Sequence, residues 1–90
     1  MNISIMKTFC DLVETGSFSL AAESNSVSQS AVSQQVARLQ KRISKQLIRK
    51  DAGTIFLTKA GRAYYEASMD IVQRYDEMMS EIEDVTSEIS

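Results

Sequence analysis

The side chains with the most chemistry to offer lie between Ser28 and Arg62. Gln29, Ser30, Ser33 and Gln34 follow one another closely, and their amides and hydroxyls both donate and accept hydrogen bonds. Groups of that kind match the edges of bases, and a glutamine pairs bidentately with adenine. Around them stand Arg38, Lys41, Arg42, Lys45, Arg49, Lys50, Lys59 and Arg62, eight bases against one acid, Asp51. A basic cluster of this density suits a polyanion. Other chemistry is poorly served. The chain has no His, so no serine or threonine has an imidazole base to activate it. There is no CxxC and no glycine-rich phosphate loop. No catalytic residue, metal site or cofactor is therefore expected. The single cysteine, Cys10, cannot form an internal disulfide and reads as a small core residue.

Charge divides along the chain. The formal net charge is −2. Residues 1–62 hold nine bases and four acids, giving +5, and residues 63–90 hold one base and eight acids, giving −7. The basic part faces a polyanion and the acidic part faces away from it. No run of about 18 apolar residues predicts a membrane span. No basic-then-apolar leader opens the chain. Together with the lone cysteine this points to the cytoplasm.

The elements that must position these groups follow from periodicity and punctuation. Apolar Ile5, Phe9 and Leu12, with Met6 and Val13 beside them, predict a first helix over 3–14, ended by Thr15-Gly16. A short second helix over 18–24 is capped by Ser17 or Ser19. Asn25-Ser26 marks a turn. Ser28 caps a third helix to about Ile43, with a narrow apolar stripe of Val32, Val36, Leu39 and Ile43. Ala22 allows the second and third helices to approach, and Val27, Val32 and Val36 fill their crossing. That is the pattern of a helix-turn-helix over 18–37, whose second helix turns its polar face outward. Candidate strands at 46–49 and 54–57 flank a hairpin tip at Asp51-Ala52-Gly53.

Thr58 caps a last helix with no stop signal before Ser90. Along it Tyr64, Ser68, Ile71, Tyr75, Met78, Ile82, Val85 and Ile89 alternate steps of four and three, a heptad seam that asks for a partner helix. The predicted fold is mainly α: a winged helix-turn-helix of three helices and a two-stranded wing over 1–58, then a dimerisation helix over 59–90. A dimer interface of Tyr64, Ile71, Tyr75, Met78, Ile82 and Val85 follows. A rival reading is a coiled-coil adaptor that binds protein and not DNA.

The chain resembles the N-terminal region of LysR-type transcriptional regulators. Met6-Lys-Thr-Phe9 with Val13-Glu-Thr-Gly-Ser-Phe-Ser-Leu-Ala-Ala22 resembles that family's opening. Val27 to Gln35 with Arg38-Leu39 resembles its recognition helix, and Leu47 with Leu57-Thr-Lys-Ala-Gly61 resembles its wing and linker. The resemblance runs without gaps from about residue 3 to 65. It implies binding to palindromic double-stranded DNA by a homodimer with antiparallel linker helices. Gln29, Ser30, Ser33 and Gln34, in the first turn and a half of the third helix, are expected to read bases. Phosphates are gripped by Arg38, Arg49, Lys50 and Lys59, with hydroxyls such as Ser28 and Thr58. It further implies a C-terminal domain binding a small-molecule effector, which these 90 residues do not include. Departures from the family pattern are Asn25 for an apolar residue, Ser30 for Pro, Gln40 for Glu, Ser44 for Gly, Ile48 for Phe or Leu, and Lys50 for Arg. Gly53 stands where an Arg is sometimes found.

Overall fold

The computed structural model describes residues 2–85. Its elements run α1 (Ile3–Thr15), α2 (Phe18–Ser24), α3 (Gln29–Ile43), β1 (Ile48–Asp51), β2 (Thr54–Leu57) and α4 (Lys59–Asp84). Each helix begins on a side chain that supplies the acceptor its first turn lacks. The Asn2 carboxamide oxygen accepts from Ile5 N–H at 3.0 Å. The hydroxyls of Ser17, Ser28 and Thr58 accept from Leu20, Ala31 and Gly61 N–H at 3.1, 3.1 and 2.9 Å. The helix starts predicted at 3, 18 and 29 therefore match.

One core holds the described residues together. Phe9 and Leu12 of α1, Ala21 and Ala22 of α2, Val32, Val36 and Leu39 of α3, and Leu47 and Ile48 before and in the wing are all buried. Burying each large aliphatic or aromatic side chain among them contributes on the order of 2 kcal/mol. Thr8 is also buried, and its hydroxyl donates back to the Ser4 carbonyl at 3.0 Å. Val27, expected to fill the crossing of α2 and α3, instead stays 38% exposed. Its backbone N–H reaches the Ala22 carbonyl at 3.0 Å, so the turn is held by main chain while the side chain points out.

The wing is an antiparallel hairpin with Ile48 opposite Leu57, Arg49 opposite Phe56, Lys50 opposite Ile55 and Asp51 opposite Thr54. It starts two residues later than the pattern predicted. Gln46 and Leu47 make bonds outside the ladder: the Gln46 carbonyl accepts from the Thr58 hydroxyl at 2.6 Å, and Leu47 N–H donates to the Gln40 side chain at 2.7 Å. The tip is Ala52-Gly53, both with positive φ, at 52° and 82°. Two left-handed residues in a row match the right-handed twist of a hairpin.

The 26 residues of α4 span about 39 Å at 1.5 Å each. Its first half belongs to the core. α1 lies antiparallel along it: Tyr65 Oη donates to Glu14 at 3.2 Å, Phe9 meets Tyr64 edge to face at 5.0 Å, and Lys7 reaches Asp76 at 3.4 Å. The first part of α4, past residue 58, thus packs on the same core as α1. The predicted seam also divides. Ser68 is fully buried, and Tyr64 and Tyr75 are half-buried against α1, with the Lys7 ammonium over the Tyr75 ring at 5.1 Å. Ile71, Met78, Ile82 and Val85 remain exposed. Ile89 lies outside the described residues. The helix stops at Asp84, with Val85 extended, where an unbroken run was expected. Glu81, Glu83 and Asp84 crowd the negative end of its dipole, and no base stands in the last turn.

Of the three glycines, Gly61 alone lies tightly against other backbone. A Cβ there would run into the Leu47 carbonyl oxygen and sit 2.8 Å from its carbon. Both are backbone in a buried strand-helix junction, so neither yields readily. Gly61→Ala should lower stability by about 1–3 kcal/mol, read from urea unfolding; an unchanged midpoint would show that α4 can slide to make room. A second expectation concerns alkaline pH. Burial, with Glu14 and Asp11 nearby, pushes the Cys10 thiol up from its ordinary 9.0 to about 11. Above pH 9.0 the unfolded chain releases this proton while the folded chain keeps it, so stability falls as pH rises toward 11. Tyr64, also raised by burial, adds to the same slope. Cys10→Ala should flatten the decline in melting temperature across that window; an equally steep decline would assign the loss elsewhere.

Candidate nucleic-acid interface

The buried stripe of α3 fixes what its other faces present. At 100° per residue, Ser30, Gln34 and Lys41 point directly away from Val32, Val36 and Leu39, with Arg38 beside them, and all four are exposed. Gln29 and Ser33 are exposed too but turn toward the wing. Gln29 lines a cleft with Ser17, Ser19, Lys50 and Gly53, and Ser33 lines its neighbour with Phe18, Ala37 and Lys50. The four residues expected to read bases therefore divide into an outermost pair and a pair on the flank facing the wing. Ser28 is exposed at the start of α3, and its hydroxyl lies 3.3 Å from that of Ser30.

The cations also sort by face. Strand alternation sends Arg49 outward beside Phe56, which is 51% exposed, and Lys50 inward. The Lys50 ammonium sits over the Phe18 ring, 4.4 Å from its centroid. Arg49 and Lys50 thus serve opposite sides of the wing. Lys59 is exposed in the first turn of α4 and borders the same outer groove as Arg49 and Phe56. Thr58 is different from what was expected. Its hydroxyl accepts from Gly61 N–H and donates its one proton to the Gln46 carbonyl, so none is left for a phosphate. Among the described residues, Arg38, Lys41, Arg42, Lys45, Arg49, Lys50 and Lys59 form no ion pair. Their charge faces solvent uncompensated.

Several contacts that shape this surface had no sequence signal. Gln40 Oε1 accepts two backbone N–H groups at the base of the wing, Leu47 at 2.7 Å and Ile48 at 3.2 Å. The chain reverses between them through Ser44, at φ 61°, and only the folded chain shows that partnership. Phe18 as the seat of Lys50 was equally hidden, because the two are far apart in sequence. The outward position of Lys41 and Ala37, by contrast, follows from the helical period alone.

Residues 3–62 match the family described as bacterial regulatory helix-turn-helix proteins of the lysR type. The chain belongs to the lysR family. This lysR-family chain is similar to the HTH-type transcriptional activator CmpR of Synechocystis, with 37% identity over 88% of the chain and 26% of CmpR. It is similar to the HTH-type transcriptional activator AaeR of Escherichia coli, with 33% identity over 93% of the chain and 25% of AaeR. It thus spans only about a quarter of the length of these curated relatives. Among solved structures, the CbnR DBD in complex with DNA matches at a TM-score of 0.80 and 25% identity, covering 92% of this chain and 95% of that one. The lysR-family unit is a DNA-binding regulatory domain with a winged helix-turn-helix, not an enzyme. No described helix is long and apolar enough to cross a membrane.

Removing the Gln40 side-chain oxygen should loosen the wing. Gln40→Leu keeps the bulk and leaves the N–H groups of Leu47 and Ile48 without an acceptor, at a cost of about 1–3 kcal/mol. Hydrogen exchange of those two amides gives a direct reading: both should exchange faster in the variant. Unaltered protection would mean the wing is held without Gln40.

Proposed function

We propose that this chain is the operator-recognising part of a bacterial transcriptional regulator and binds double-stranded DNA sequence-specifically as a two-fold pair. The observation that carries this is the uncompensated cationic surface shared by α3 and the wing, on a domain of the lysR family. α3 enters the major groove. Gln34 and Ser30 meet base edges head on, and Gln29 and Ser33 meet them from the wing side. Arg38, Lys50, Arg49 and Lys59 grip phosphates, joined by the Ser28 hydroxyl. Thr58 holds the α3–wing–α4 junction and takes no part in that grip.

Pairing uses the exposed apolar row that runs from the middle of α4 to the residue just past its end. Ile71, Met78, Ile82 and Val85 are 45, 40, 57 and 66% exposed, an arrangement that favours a partner helix. Tyr64 and Tyr75 support the row from within the protomer. The length of the curated relatives leaves room for a further domain that binds a small-molecule effector, and a regulator of this kind works in the cytoplasm. No cofactor is assigned to the chain.

Two measurements test this. Affinity for duplex DNA should fall with salt, and Arg38→Ala or Lys50→Ala should each lower the slope of log affinity against log salt by about one. Gln34→Ala should instead relax preference at one or two bases, by about 1–3 kcal/mol per good pair lost. Unchanged salt slopes and an unchanged consensus would rule these assignments out. For pairing, the parent should sediment at twice the 10.0 kDa chain mass. Met78→Asp places a carboxylate in the apolar row, costing several kcal/mol, and should sediment as a folded monomer with weak affinity for palindromic DNA. A parent that is monomeric at high concentration would contradict the pairing.

A further inference from the structure

Between α3 and the wing lies an open cleft of about 280 Å³. Val36 and Ile48 floor it, and Ser33, Gln40, Gln46 and Lys50 edge it with polar groups. No acid lines it. Gln40 is half used. Because its Oε1 accepts from Leu47 and Ile48 N–H, the two ends of the carboxamide are told apart, and Nε2 is the free end. That nitrogen carries two N–H donors. It has no acceptor among the described residues, and it is not among the buried unpartnered atoms, so it is open to solvent. Lys50 lines the same cleft, with its ammonium over the Phe18 ring and no carboxylate partner among the described residues. The ring holds the charge in place without using its N–H donors.

We propose that this cleft is a seat for one backbone phosphate of the bound DNA, with the Lys50 ammonium and the Gln40 Nε2 as its donors. The neutral amide at position 40 is what keeps the seat open to an anion. The proposal rests on the DNA-binding reading above and adds a second role to Gln40. One end of its side chain sets the wing against α3, and the other faces the phosphate. A glutamate there would still accept from both backbone N–H groups through one oxygen. Its second oxygen would put a negative charge where Nε2 now donates, and would compete with phosphate for Lys50. Position 40 therefore adjusts phosphate affinity without altering the fold.

Gln40→Glu separates the two roles. It should keep the parent's urea midpoint and the protection of the Leu47 and Ile48 amides. It should bind a mixed-sequence duplex about ten-fold more weakly, with a salt slope lower by about one. A correctly folded Gln40→Glu with the parent's affinity and slope would overturn the seat while leaving DNA binding intact. A parent that fails to bind duplex at low salt would overturn both. Side-chain amide NMR of the parent gives a reading that needs no variant. The Gln40 Nε2–H resonances should shift when duplex is added and stay put with inorganic phosphate at equal total phosphate. No shift with duplex, or an equal shift with inorganic phosphate, overturns the assignment to DNA.

Discussion

The backbone of Leu47 is tied at once to α3 and to the start of α4. Its N–H donates to the Gln40 side chain of α3, its carbonyl accepts from Thr58 N–H at 3.0 Å, and the same carbonyl lies against the bare Cα of Gly61 in α4. Its side chain is 1% exposed in the core. The angle between α3 and the wing, and the point at which α4 starts, depend on this residue, while α1 packs along α4 further on. The capping of α4 belongs to the same junction, since the Thr58 hydroxyl that starts the helix also closes on the Gln46 carbonyl. A backbone this crowded has few alternative packings, which helps hold a wing of only two four-residue strands against α3.

Much of this was legible in the sequence because local chemistry set it. Ser17, Ser28 and Thr58 announce helix starts through their own side chains, and each does cap the helix that follows. The 3.6-residue period of Val32, Val36 and Leu39 named the buried face of α3 and, by subtraction, its polar one. Most departures share one cause. The start of the first strand, the second bond of the Thr58 hydroxyl and the neighbour of the first part of the α4 seam were decided by distant segments, whereas Val27 and the end of α4 were settled locally. The seam is the clearest case. Its heptad spacing is real, but α1 already covers Tyr64, Ser68 and Tyr75, and a period cannot say which neighbour satisfies it. Of the interface, the residue types could be read from the α3 face, whereas the division of Arg49 and Lys50 between opposite sides of the wing needed the strand register.

Charge is arranged to agree with that geometry. Among the described residues, the cations near α3 and the wing form no ion pair, while Lys7, Arg62 and Arg74, away from that surface, pair with the acids of α4. Exposed pairs of this kind add little stability. Their effect is on the field: the far half of α4 is left net acidic and the recognition surface net basic. A polyanion approaching the molecule meets attraction at one end and repulsion at the other, which orients the encounter before any contact forms.

The wing tip sets how readily this domain could acquire a different preference. Gly53 has open space where its side chain would be, with nothing within 4 Å, and its φ of 82° is the main obstacle to any other residue. Replacement there costs about 1 kcal/mol of backbone strain. A single codon change could therefore extend a long cation from the tip without repacking anything beneath it. The reverse change would withdraw it as cleanly. Drift at this position is mechanically uncoupled from the core, so related regulators can diverge in how deeply the wing engages DNA while keeping one scaffold.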